Sequence, residues 1–358
     1  MSKFFSSKYK ELEAYTPGEQ PRDMKYVKLN TNESPYPPTE AVLSAASEEA
    51  GRLNLYSDPT LKSLIDAFSG VYGIAPEKII MTNGSDEALN FAFMAYGDAE
   101  HPFAFADITY GFYSVFAKLH RLPYEIIPLK DDFSIDYKDY LGLGKNIVIA
   151  NPNAPTGLAL PLWQIEEIIK SNPDNIVVID EAYVDFGADS AMSLIDKYDN
   201  LIVVGTFSKS RSLAGARLGF AVANPALISD LNTLRYSTNP YNINRMTMAV
   251  GVQVLMENNY YMENCKRIIE NREYTKACLS ALGFEYTDSK ANFLFCKSPD
   301  IGGEELYLKL KARGVLVRHF STPRIKEYNR ITVGTREQMD ILLKNISEIL
   351  EEKKNERG

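Results

Sequence analysis

Two segments of the chain place a chemically capable side chain at the end of a buried apolar run. Lys209 lies in TFSKSRSLAGARLGF (206–220), directly after the run LIVVG (201–205). The C-terminal end of a buried strand is where α/β sheets place their ligands. The small residues Ala214, Gly215 and Ala216 permit close approach of another backbone or a ligand. Taken singly, Lys209 reads as a surface lysine in a polar loop. The second segment is VVIDEAYVDF (177–186). A carboxylate at the end of a buried strand is costly unless it meets a charged or hydrogen-bonding partner. Asp180 could hold a protonated ring nitrogen, and Tyr183 could aim its hydroxyl at the same ligand. Their plainer roles are a turn cap and an amphipathic core residue.

Two further segments offer anion-binding or loop chemistry. MTNGSDEALNFAF (81–93) reads as a strand, an Asn-Gly-Ser turn and a helix. Free backbone amides at such a helix start form an anion site, supplied here by Gly84, Ser85 and Asp86. Asp86 and Glu87 also suit a helix first turn on electrostatic grounds alone. NPNAPTG (151–157) follows the run NIVIA (146–150), and its Pro and Gly fix a tight loop from which Asn153 could reach a ligand. LGLGKN (141–146) imitates a glycine-rich nucleotide loop. It lacks the full spacing and precedes a strand, where such loops follow one, so it is set aside. The three histidines are far apart and the three cysteines fit no zinc pattern, so no metal site is expected.

The elements that must position these residues alternate along the chain. Apolar runs at 78–82, 103–107, 125–129, 146–150, 176–180, 201–205 and 218–223 are separated by helical stretches such as 85–96 and 161–170. Several runs are apolar on both faces, as buried parallel strands are, which predicts an α/β sheet covered on both sides. After about residue 245 a long charged helical region (245–281) precedes strands at 292–297, 315–318 and 330–333 and helices at 303–313 and 336–352. This predicts a smaller α+β domain. Residues 1–36 read as an extended arm that needs a partner surface. With 358 residues, two domains are the natural expectation. A net charge of −8 argues against a nucleic-acid or anionic-membrane surface. No run approaches a membrane span or a signal peptide, and the sparse cysteines suit a reducing compartment, so a cytoplasmic location is expected.

In this order, the four segments resemble the fold-type I aminotransferases that use pyridoxal phosphate (PLP), and the likeness spans nearly the whole chain. The resemblance implies an α/β fold with a mostly parallel seven-stranded sheet. It divides the chain into an arm (1–36) packing on the small domain and a dimer partner, a large PLP-binding domain (37–245) and a small C-terminal domain (246–358). Lys209 would bond the cofactor covalently, Asp180 would pair with its pyridine nitrogen and Tyr183 with its phenolic oxygen. Ser85, Thr206, Ser208 and Arg217 would hold the phosphate with the helix amides of Gly84, Ser85 and Asp86. Tyr110, in DITYGFY, would stack on the ring. One position departs from the pattern: the asparagine usual before Pro-Thr-Gly is Ala154, and the expectation moves to Asn153.

Within these enzymes the chain resembles the histidinol-phosphate aminotransferases. The likeness rests on AYTPGEQ (14–20), KLNTNESPYPP (28–38), LNLYSDP (53–59), GVLVRHF (314–320) and NRITVGT (329–335). It implies a homodimer in which Tyr56 reaches the neighbour's cofactor phosphate. Arg330 would bind the substrate anion, with Arg318, Tyr15 and Asn32 close to the substrate. The implied reaction exchanges an amino group between histidinol phosphate and 2-oxoglutarate, giving imidazole-acetol phosphate and glutamate in histidine biosynthesis. The freed Lys209 amine, neutral in a desolvated site, would move the proton. Threonine-phosphate decarboxylases and aromatic amino-acid aminotransferases look similar, and both readings stay open on the sequence.

Overall fold

The structure is a computed structural model that describes residues 2–357, Glu11, Pro17 and the side chain of Arg357 excepted. Pro17 of the AYTPGEQ segment therefore lies outside the described residues. Among the described residues, thirteen strands form three sheets. In chain order they begin with β1 (Val27–Lys28), β2 (Ile79–Thr82), β3 (Phe103–Ala106) and β4 (Tyr124–Ile127). Then come β5 (Asn146–Ala150), β6 (Val177–Asp180), β7 (Leu201–Thr206) and β8 (Gly219–Ala223). Strands β2 to β8 make a seven-stranded sheet in the order β2-β8-β7-β6-β5-β3-β4. It is parallel except at β8, which runs antiparallel to both β2 and β7.

The double-faced apolar runs explain why this sheet is buried. Side chains alternate across a strand, so each run feeds two cores. Ile147, Ile149, Val177, Ile179, Leu201 and Val203 enter the core on one face. Val148, Ala150, Val178, Ile202 and Val204 enter the core on the other. Helix Leu162–Ser171 covers the first face with Ile165, Ile168 and Ile169, spaced as one helical stripe. Helix Ser85–Tyr96 covers the second with Ala88, Leu89, Ala92 and Phe93. The edge strand β4 exposes its side chains at Tyr124, Glu125 and Ile126.

The remaining strands are β9 (Glu285–Tyr286), β10 (Phe293–Lys297), β11 (Val315–Leu316), β12 (Arg318–His319) and β13 (Asn329–Thr332). Four of them form an antiparallel sheet in the order β12-β13-β10-β9. Its core joins Leu294, Cys296 and Ile331 to Ile268 and Leu279 of helix Asn258–Ala281 and to Leu342, Ile346 and Ile349 of helix Arg336–Arg357. The arm finds a partner within its own chain. β1 pairs in parallel with β11, Leu29 is buried in the core of the smaller sheet, and Glu19 bonds Lys311 and Tyr307. The change of core comes later than residue 245. Helix Arg245–Met256 still packs Val250, Val254 and Leu255 under the large sheet. A bridging cluster ties the two sheets together: Ala106, Ile108, Leu129 and Phe133 pack on Phe295 and Ile325.

Candidate active site

The C-terminal ends of β6 and β7, and the turn after β2, open into one cavity of about 170 Å³. Its wall carries Ser85, Asp86, Tyr110, Asp180, Tyr183, Thr206, Ser208, Lys209 and Arg217. The Lys209 amine donates to the Thr31 carbonyl at 3.1 Å and lies 5.8 Å from the centre of the Tyr183 ring. Thr206 donates its hydroxyl to Ser208 Oγ at 2.9 Å. Arg217 sits in the left-handed region (φ +56°), and its guanidinium lies against Gly84. There it donates to Ser208 Oγ at 3.3 Å and to Asp86 Oδ2 at 3.1 Å.

The anion end of this cavity is built by close backbone approach. Gly84 has φ +75°, and a Cβ there would stand 2.5 Å from Arg217 Nη2. A Cβ on Gly219 would stand 2.4 Å from the Gly84 carbonyl carbon and from the Ser85 nitrogen. Helix Ser85–Tyr96 starts without a side-chain cap among the described residues, so its first amides can meet an anion. Hydroxyls, uncapped amides and one guanidinium converge here, the donor set that a phosphate monoester takes.

Asp180 anchors the opposite end. It is 4% exposed, and burial pushes its pKa up to about 6. Tyr113 donates its hydroxyl to Asp180 Oδ2 at 2.8 Å, and the Ala182 amide donates to Oδ1 at 3.2 Å. A buried carboxylate with neutral donors alone is left to be completed by a cation. Tyr110 donates to Asp86 Oδ1 at 2.8 Å, which holds its ring in the cavity wall. Tyr183 accepts from Asn32 Nδ2 at 2.9 Å, and Asn32 itself is locked at φ +57° by bonds to Thr332 and Asn292.

Asn153 requires a correction. Its side chain does not line this cavity. Its Oδ1 accepts from Thr109 at 2.7 Å, and its Nδ2 donates to the Ile108 carbonyl and to Thr156 Oγ1. With both ends of the amide engaged in the loop, Asn153 turns away, and Ala154 forms the wall instead. Sequence reasoning also missed Tyr113, Thr31, Glu33 and Glu181. Tyr113 had a signal, a second tyrosine three residues after Tyr110. Glu181 is fully buried behind Asp180, accepts from Ser190 and from the Ala191 amide, and is pushed up to about 8 by burial.

A second cavity of about 310 Å³ adjoins the first and shares Tyr110 and Ala154 with it. Tyr15, Asp107, Arg318, Phe320 and Arg330 line it. Arg330 donates to the Asn30 carbonyl at 3.0 Å, while its buried Nε has no partner among the described residues. Burial, and then the like charge of Arg318, hold the Arg330 pKa below its ordinary value. Tyr15 packs on Phe112 with ring centres 4.4 Å apart. Tyr56 is not brought in: it is 78% exposed and stacks on Tyr241. Among the described residues no cluster of three or more His, Cys, Asp or Glu could hold a metal ion.

The sequence model of the family "Aminotransferase class I and II" matches residues 24–346. The chain belongs to the class I and II aminotransferases. Histidinol-phosphate aminotransferase of Brachyspira hyodysenteriae is 51% identical to it over 352 residues, covering 98% of this chain and 99% of that one. The Marinomonas sp. protein of the same name is 49% identical, covering 96% and 98%. Among solved structures, histidinol-phosphate aminotransferase of Sinorhizobium meliloti in complex with pyridoxal-5'-phosphate superposes with a TM-score of 0.84 at 24% identity, covering 92% of each chain. L-threonine-O-3-phosphate decarboxylase of Porphyromonas gingivalis shares the fold too, with a TM-score of 0.78 at 20% identity, covering 90% of this aminotransferase and 99% of that chain.

Proposed function

We propose that this aminotransferase moves the amino group of histidinol phosphate onto 2-oxoglutarate, using PLP, and so yields imidazole-acetol phosphate and glutamate in histidine biosynthesis. The observation that carries the reading is the pair of adjoining cavities. One joins an amine, a buried carboxylate and a phosphate-type donor set. The other carries two guanidiniums. The names of relatives at 51% and 49% identity support the same substrate.

The residues present fit the cofactor. The uncapped helix amides with Ser85, Thr206, Ser208 and Arg217 would hold its phosphate, and the glycine at 84 keeps that cradle open. Asp180 would face its protonated ring nitrogen, the cation that the buried carboxylate lacks. Tyr183 would bond its phenolic oxygen, and Tyr110 would stack on its ring. When bound, PLP supplies an electron-accepting ring for the bond broken at the substrate carbon. Lys209 would bond the cofactor at rest, and its freed amine would then carry the proton from the substrate carbon. Arg330 would hold the anionic end of either substrate, because a guanidinium fork suits carboxylate and phosphate alike. Arg318 would add the charge that a phosphate dianion needs. Asn32 positions Tyr183 from behind, and Tyr15 closes the outer wall.

We further propose a homodimer and a cytoplasmic location. Leu53, Leu55 and Tyr56 are 60%, 56% and 78% exposed within four residues, an apolar edge suited to a second copy. In that dimer Tyr56 would reach the partner's phosphate site. Free thiols at Cys265, Cys278 and Cys296 suit a reducing compartment. By where the cores change, the two domains would divide near residue 257. The test is a paired assay on PLP-loaded protein: histidinol phosphate with 2-oxoglutarate, and threonine O-phosphate alone. Glutamate without carbon dioxide is expected. Carbon dioxide alone would move the enzyme to decarboxylation, and neither product would point to aromatic amino acids.

A further inference from the structure

The wall of the arginine-bearing cavity contains a carboxylate. Asp107, just past β3, lines the same space as Arg318 and Arg330. A free carboxylate there would repel a phosphate dianion. Its place in the fold explains its presence: Oδ1 accepts from the Ile108 and Leu129 amides, both at 2.9 Å, and so ties the end of β3 to the segment after β4. The other oxygen, Oδ2, accepts from Arg324 Nη1 at 2.9 Å. Arg324 belongs to the segment between β12 and β13, whose Phe320, Thr322 and Ile325 also line the cavity. Its second nitrogen donates to the Leu129 carbonyl at 2.7 Å and to the Lys130 carbonyl, and its guanidinium lies 5.5 Å from the centre of the Phe133 ring. Both terminal nitrogens are thus engaged by the protein, and Arg324 is not among the residues facing the cavity.

We infer that Arg324 is a specificity-determining residue that acts through Asp107: it cancels the one carboxylate among the described residues of the wall and so lets the cavity accept a phosphorylated amine. This rests on the proposed substrate. Arg324 would touch neither substrate nor cofactor; it is a positioning residue whose effect is electrostatic. The bridging apolar cluster beneath it already holds the two sheets together, so the ion pair is not needed for that purpose.

Four proteins test this: wild type, Arg324→Gln, Arg324→Lys and the double variant Asp107→Asn with Arg324→Gln. Each is assayed with histidinol phosphate and with unphosphorylated histidinol. Arg324→Gln should raise KM for the phosphorylated amine about tenfold, with kcat and the KM for histidinol within about twofold of wild type. The double variant should recover the lost affinity, because the amide oxygen introduced by Asp107→Asn can still accept both backbone amides while the charge is gone. Arg324→Lys keeps the charge and should stay near wild type. Equal losses for both amines, no recovery in the double variant, or a loss in Arg324→Lys as large as in Arg324→Gln would each overturn the inference. If wild type turns over neither amine, the proposed substrate fails first. Calorimetric binding of inorganic phosphate to the same four proteins then decides: weakening in Arg324→Gln with recovery in the double variant supports the charge-cancelling role, and equal binding in all four overturns it.

Discussion

The two ends of the active site are built differently. At the cofactor end, the side chains that line the cavity come from the ends of neighbouring strands, the loops beside them and the first turn of helix Ser85–Tyr96, and several are already bonded to each other or to a helix residue behind them. Tyr113 holds Asp180, Asp86 holds Tyr110 and Arg217, and Thr206 holds Ser208. At the substrate end, the wall is gathered from Tyr15, the segment after β3, β12 and β13, which belong to two sheets and the arm. There the buried Nε of Arg330 has no partner among the described residues. On the proposed reading, the first end would be preorganised for a constant ligand, and the second would leave donors unspent for ligands that alternate.

The largest effect should come from the preorganised end. Lys209→Ala is expected to lower turnover by about 10³-fold or more while the cofactor still binds. Borohydride reduction followed by mass measurement of the chain should find no cofactor fixed to it. Retained turnover would remove Lys209 from its role. Next comes the substrate end. Arg330→Ala should cost about 10²-fold in kcat/KM for both histidinol phosphate and glutamate, since an anion loses its buried partner. Arg318→Ala should cost about tenfold for the phosphorylated amine alone. Equal losses for the two substrates in the Arg318 variant would erase the proposed division of labour.

A smaller change should follow from Tyr56→Phe, which removes one hydrogen bond reaching across the proposed dimer. Cofactor dissociation is expected to speed up by about three- to tenfold, and sedimentation should still report a dimer. An unchanged dissociation rate would make Tyr56 a packing residue only. The smallest effect concerns the rigid backing of the cofactor end. Glu181 is raised by burial from 4.5 to about 8. A raised carboxyl stabilises the fold below its unfolded pKa, and that stability is lost as pH climbs through the folded one. Wild type should therefore lose more melting temperature between pH 5 and 8 than Glu181→Gln does, by a few degrees. Parallel pH profiles would mean that Glu181 does not carry that cost.

The strands of the larger sheet were legible because most are short runs apolar on both faces, set between helical stretches. The run 146–150 matches β5 residue for residue, and the helix expected at 85–96 matches Ser85–Tyr96. The antiparallel direction of β8 was not legible, since Gly219–Ala223 is as apolar as its parallel neighbours. The arm was expected to pack on the small domain, and β1 pairs with β11 there; which residue anchors it was not legible, because its polar composition hid Leu29, a single apolar residue that fills a place in the smaller core. Asn153 was misassigned because a loop sequence does not tell which way an amide points. That depended on Thr109, 44 residues away.

By itself, the sequence determined which residue types stand at the strand ends: the lysine, the aspartate and the uncapped Asn-Gly-Ser turn. Those follow from local periodicity and turn chemistry, which act over a few residues. Only the tertiary structure decided that Tyr113 backs Asp180, that Asn32 backs Tyr183 across 151 positions, and that Arg324 meets Asp107 across 217. Such contacts are set by how two sheets pack, and no short-range pattern encodes the distance between them.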